Sequence, residues 1–266
     1  MAKKANTAKP EFKMGWLPDL PDARDLLYSA PLKVALKLPS KIDLRPGCPR
    51  VYNQGHLGSC TANALAGAFE FGKKKQRKAV FTPSRLFLYY NERVTIHTES
   101  SDSGAFLRDG IKSLNNDGIC KETEWAYDDD NSVGAKFSKK PPVSCFTHAQ
   151  QNQIVSYQRI SNTNINSLKG CLADGFPFAF GFTVYNSFMT PPVAKKGIMP
   201  MPDFSKETVV GGHAILAVGY DEKRQLVLIR NSWGPSWGIK GYFWMPYAYI
   251  TNTHLCDDFW TIRLVE

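Results

Sequence analysis

A glycine-bounded turn that carries one cysteine and runs straight into a helical period constrains this chain more than any other stretch. Residues 53–62 read Asn-Gln-Gly-His-Leu-Gly-Ser-Cys-Thr-Ala. Beyond them Ala62, Leu65, Ala66 and Phe69 recur at i, i+3, i+4 and i+7, which predicts a helix with one buried face. Cys60 then lies in the first turn, where unpaired N–H groups and the positive end of the helix dipole favour thiolate over thiol. Gly58 and Ser59 let the backbone approach a ligand closely, so a carbonyl can reach the N–H of Cys60 and the side-chain amide of Gln54. The competing reading is a structural cysteine on a core helix, since free Cys is among the most buried residue types.

Two later stretches favour the reactive reading. Gly211-Gly212-His213-Ala214 leads into Ile215-Leu216-Ala217-Val218, an apolar run that predicts a buried strand with His213 at its start. Asn231-Ser232-Trp233-Gly234 follows a second predicted strand at 226–229. Asn231 is placed to accept from one ring N–H of His213, fixing the tautomer and leaving the other nitrogen for Cys60. Trp233 shields that hydrogen bond from water.

With these residues in order, the chain resembles the papain-family (C1) cysteine peptidases. Gln54, Cys60, His213 and Asn231 match the family's four catalytic positions, the histidine lying 153 and the asparagine 171 residues downstream of the nucleophile. The resemblance runs from residue 39 to the C-terminus. It implies an α+β fold of two lobes, one helical and one an antiparallel β-barrel-like lobe, with the active-site cleft between them. It implies a thiolate–imidazolium pair, an acyl-enzyme and a peptide or protein substrate, with no cofactor or metal, and a monomer. Ser103 and Gly104 stand where the family has a substrate-binding glycine pair. Gly58, Ser59, Gly212 and Trp233 line the implied cleft. Asp258, with Asp257, lies near the floor of the family's main specificity pocket, where a carboxylate favours a basic side chain.

The chain departs from the family in three places. A secreted member's disulfide partner three residues before the nucleophile is here Leu57, and the loop that would supply its mate reads Ser101-Asp102-Ser103. The five cysteines other than Cys60 are therefore expected to be reduced thiols. Thr61 replaces an aromatic residue beside the nucleophile, which loosens the implied cleft wall. Residues 1–38 lack the long helical inhibitory segment of the family. Residues 1–11 are polar and expected to be disordered, whereas 12–38 mix prolines, aromatics and leucines that want a surface to pack on. Two readings stand for 12–38: a short propeptide that blocks the cleft, or a permanent strap on the back of a peptidase domain spanning 39–266.

Composition narrows the alternatives. The 266 residues, 43% hydrophobic, can build a sizeable core. No apolar run is long enough to span a membrane, and the start carries no signal-peptide pattern, so a cytoplasmic protein or one exported without a leader is expected. The net charge of +9 is scattered, and its one dense run, 72–78, ends the Cys60 helix. That run is expected to be a solvated helix end rather than a nucleic-acid patch. Surface loops are predicted at 131–147 and 190–202, and a helix at 165–173. A Cys–His acyltransferase and a catalytically silent binding protein of the same fold remain the alternatives to a peptidase.

Overall fold

The computed structural model describes residues 12–266, so the expectation for residues 1–11 lies outside it. Strand β1 (Trp16–Leu17), the single turn α1 (Leu32–Ala35) and strand β2 (Lys41–Asp43) come first. Helices α2 (Cys60–Lys75) and α3 (Arg85–Thr95), strand β3 (Ala105–Phe106) and helix α4 (Leu107–Asn116) form the helical part. The strand-rich part follows: α5 (Val143–Ala149), β4 (Ile154–Arg159), α6 (Ile165–Ala173), β5 (Phe178–Tyr185) and α7 (Pro191–Lys196). It is completed by β6 (Val209–Asp221), β7 (Leu226–Arg230), β8 (Tyr242–Pro246), α8 (Tyr247–Ile250) and β9 (Cys256–Val265).

The large sheet is antiparallel in the order β4-β9-β5-β6-β7-β8, with β2 also pairing to β6. Among the described residues β4 and β8 do not pair with each other, so the sheet stays open and the β-barrel-like lobe is not a closed barrel. Its period of two sorts β6 between two cores. Ala214, Leu216 and Val218 face the helices, while Ile215, Ala217 and Tyr220 face a core of phenylalanines from β5, Phe178, Phe180 and Phe182. Burial on both faces explains why this strand reads as a continuous apolar run.

Helix α2 is sandwiched between that sheet and helices α3 and α4. Every residue from Cys60 to Lys73 is buried, so the helix is enclosed all round rather than on one face. Alanines and Gly67 make this possible; a Cβ on Gly67 would meet the Arg230 guanidinium. Lys73 is likewise no solvated helix end: its Nζ donates to the Glu266 main-chain oxygen and to Asn152. Two predicted loops carry helices: α5 begins within 131–147 and α7 lies within 190–202. In both, proline takes the first positions of the helix or its N-cap, where its missing N–H costs nothing.

Residues 12–19 do not lie on the back of the body. They cross the groove between helices and sheet, where β1 pairs in parallel with β3. The chain then follows the sheet edge, with Leu27 bridging to Arg159.

Candidate active site

Ser59 precedes α2 and Cys60 opens it, as the helical period predicts. His213 lies in the interior of β6 rather than at its start, because pairing with β5 extends the strand back to Val209. Asn231 follows β7 directly and its N–H is tied to the Gly241 carbonyl. Cys60, Gln54, His213 and Asn231 are all buried.

The His213 tautomer follows from its neighbours. Asn231 Oδ1 already accepts the Ser232 N–H at 2.9 Å, which identifies it as the carbonyl end of the amide. His213 Nε2, 2.8 Å from the same oxygen, must therefore donate. Nδ1 has no hydrogen-bond partner among the described residues and can take a proton. The indole of Trp233 stacks on the imidazole at 4.8 Å between centroids and covers this pair.

Gln54 is held just as firmly. Ser232 Oγ donates to its Oε1 at 2.7 Å, turning Nε2 toward the groove, where it donates to the carbonyls of Leu57 and Lys13. The Lys13 carbonyl, 3.0 Å away, thus sits on the donor that the sequence assigns to a substrate oxygen.

Around that carbonyl the segment is gripped along its length. Phe12 stacks on Trp233 with centroids 4.7 Å apart. Gly15 donates its N–H to Gly212 O at 3.1 Å and accepts from Ala105 N at 2.8 Å. Trp16 fills a slot walled by Gly181 and Gly212, where any Cβ would strike the indole. The slot ends on Asp258, whose Oδ2 accepts from Trp16 Nε1 at 2.9 Å and from Asp19 N at 2.8 Å.

This enclosure changes the protonation of the reactive pair. Burial pushes the Cys60 thiol up to about 12, although backbone hydrogen bonds from Ala214, Gly15 and Thr61 pull the other way. Burial likewise holds His213 down at about 4, against the hydrogen bond to Asn231. With the groove covered, burial opposes the charge on both partners, against the helix N-terminus that favours the thiolate.

The remaining sequence-predicted residues divide in two groups. Gly58, Gly104, Gly212, Trp233 and Asp258 line the groove against residues 12–16 or receive their hydrogen bonds. Ser59 Oγ instead meets Tyr127 OH, and Ser103 Oγ meets Thr98 Oγ1. Thr61 points away from the groove wall, donating at 2.7 Å to Glu92, a fully buried carboxyl that desolvation keeps protonated well above the usual carboxylate range. The six cysteines are all free.

Sequence reasoning missed three participants. Ala105, rather than the Ser103–Gly104 pair, supplies the backbone donor. Ser232 orients Gln54, and its place directly after Asn231 was the available signal. Asp102 joins the two loops that the absent disulfide would join: it accepts Gly58 N at 3.0 Å and Tyr89 OH. Among the described residues, no group of three or more His, Cys, Asp or Glu side chains is arranged to hold a metal ion.

A buried cysteine at a helix N-terminus, a histidine oriented by an asparagine, and a side-chain amide beside them make up the candidate site. The papain family cysteine protease model matches residues 38–257, and the chain belongs to that family. It is similar over almost its whole length to xylellain, a cysteine protease from Xylella fastidiosa. The identity is 45%, the TM-score 0.91, and 99% of this chain and 100% of that one are covered. An uncharacterised peptidase C1-like protein of Acanthamoeba polyphaga mimivirus is 42% identical over 98% of this chain and 89% of its own length. Pro-cathepsin H of Bos taurus is 28% identical over 73% of this chain, which spans 54% of that longer protein.

Proposed function

We propose that this papain-family cysteine protease hydrolyses peptide bonds through Cys60 and His213, and that residues 12–38 keep it in a blocked form. The observation that carries the reading is the Lys13 carbonyl on Gln54 Nε2 at 3.0 Å, with the flanking backbone paired to Gly212 and Ala105. The groove receives extended peptide, and it orients a carbonyl beside the nucleophile.

When the segment leaves, water enters and the burial that disfavours both charges is relieved. The proton then moves from Cys60 to Nδ1 of His213, and the helix N-terminus favours the thiolate. The thiolate attacks the substrate carbonyl, and the oxyanion is held by the Cys60 N–H and Gln54 Nε2. His213 protonates the departing amine, leaving a thioester. The same ring takes a proton from water, whose oxygen attacks the thioester and releases the acid. Asn231 holds the ring throughout without titrating. Substrate backbone takes the place of Gly15 against Gly212 and Gly104–Ala105, beside Gly58 and Trp233, and a side chain takes the slot that ends on Asp258.

The test is intact mass after treatment with an epoxysuccinyl thiol reagent under mildly acidic, reducing conditions. A single adduct that disappears in Cys60→Ala, formed only once the segment is displaced or clipped before about residue 38, is the expected result. Rapid adduct formation on the untouched chain would remove the blocking role. No adduct in either form would remove the peptidase reading.

A further inference from the structure

We propose that Asp102 selects lysine or arginine at the residue whose carbonyl is attacked, an inference that rests on the peptidase reading above. Lys13 is the guide. Its carbonyl occupies Gln54 Nε2, and from that anchored position its side chain turns to Asp102. Nζ lies 2.6 Å from Oδ2 and 2.9 Å from the Asp102 main-chain oxygen, so the ammonium is held by two acceptors of one residue.

The acceptor is built into the site. The Asp102 side chain is only 5% exposed, and its other contacts are the Gly58 N–H and the Tyr89 hydroxyl. Both are neutral donors. Arg93 lies close enough to sense the charge, but its guanidinium donates to the main-chain oxygens of Tyr89, Glu99, Ser101 and Phe137 and makes no hydrogen bond to Asp102. Lys13 is therefore the one cation hydrogen-bonded to this carboxylate among the described residues.

Gly58 stands two residues before Cys60, so Asp102 is fixed to the nucleophile's own loop. Once Lys13 withdraws, Oδ2 faces the groove with only the Gly58 N–H, 3.2 Å away, as a donor. A substrate residue seated by its carbonyl on Gln54 lies beside the same carboxylate, and a lysine or arginine there restores the charge-assisted bond. A glutamate at that position meets like charge.

The decisive measurement is a competition in one tube, using the full-length chain after the segment has been displaced. Two peptides differ only at the residue before the scissile bond, arginine in one and its neutral isostere citrulline in the other. The expected kcat/KM ratio is about tenfold or more in favour of arginine, smaller at high salt because Lys13 marks a half-open position. Asp102→Asn, which keeps an oxygen acceptor for Gly58 and Tyr89, should bring the ratio to within about twofold. A wild-type ratio near one overturns the proposal, whether or not the variant folds, and leaves the peptidase reading intact. Cleavage of neither peptide, with no epoxysuccinyl adduct on Cys60, overturns both.

Discussion

The indole N–H of Trp16 and the carboxyl of Asp258 meet at 2.9 Å across 242 residues of sequence, and this contact pins the N-terminal segment over the nucleophile. Asp258 has a positive φ of 60°, which is unusual for a residue other than glycine and aims its carboxyl at the slot that Trp16 fills. A buried Trp removes about 150–250 Å² from water. The slot is therefore the segment's principal apolar anchor.

Trp16→Ala should release the segment. Large-to-small changes of a buried Trp cost about 3–5 kcal/mol, and here the loss falls on the contact between the segment and the groove. Epoxysuccinyl labelling of Cys60 should accelerate by at least about tenfold, with the thermal transition of the body little altered. An unchanged labelling rate would mean that the grip lies elsewhere, in Phe12 against Trp233 or in the Asp25 pairs with Arg108 and Arg159.

Gly181→Ala attacks the same contact from the opposite side. A Cβ at this position would overlap the indole, with Trp16 Cε2, Cδ2 and Nε1 as its nearest atoms. Labelling should speed up as in Trp16→Ala, although the segment's own sequence is intact. Combining the two changes should add little to either alone, because the alanine at 16 removes the clash; full additivity would show that two separate contacts had been broken.

Arg93→Met should destabilise the whole protein. Arg93 is fully buried, and its guanidinium satisfies four main-chain oxygens that hold the loop carrying Asp102. Methionine keeps the bulk but orphans those acceptors, at about 1–3 kcal/mol for each one left without a partner. The expected fall in Tm is roughly 10 °C for a chain of this size. Calorimetry of the Cys60→Ala background would check it without self-cleavage.

The reactive constellation was legible because its chemistry lies in short strings with distinctive neighbours: Gly58-Ser59-Cys60 before a helical period, His213 in an apolar run, Asn231 after a strand. Periodicity carried α6 to its observed bounds. For α2 it gave the helix but not its burial, because a period reports one apolar stripe while Ala64, Ala68 and Gly72 between the stripes are small enough for close packing on every side. It failed for 12–19 for another reason. That stretch takes its conformation from Gly181, Gly212 and Asp258, partners far along the chain, and no local pattern encodes them. Asp102 was hidden in the same way: within its own loop it reads as a polar turn residue, and only the fold brings it to Gly58.

The grip of the segment should weaken as pH rises. Burial raises the Asp258 carboxyl to about 7, helped by the nearby Asp19 charge, and burial raises Asp19 as well. Asp257, Asp25, Arg108 and Arg159 face the same cluster, and Arg159 lies 3.3 Å from Asp258 Oδ1. In the free segment and open slot both carboxyls return toward their ordinary range near 4. The docked form therefore binds more protons than the open form. Docking is strongest where both carboxyls are protonated and loses stability as pH climbs through about 7, when two buried charges must coexist. Hydrogen–deuterium exchange of the 12–27 peptide in Cys60→Ala, corrected for intrinsic exchange, should show protection falling between about pH 4 and about 7 and levelling off above. Asp258→Asn, which cannot ionise, should flatten that profile. Protection that instead rises with pH would assign control of the segment to the Asp25–arginine pairs, whose attraction requires an ionised carboxylate.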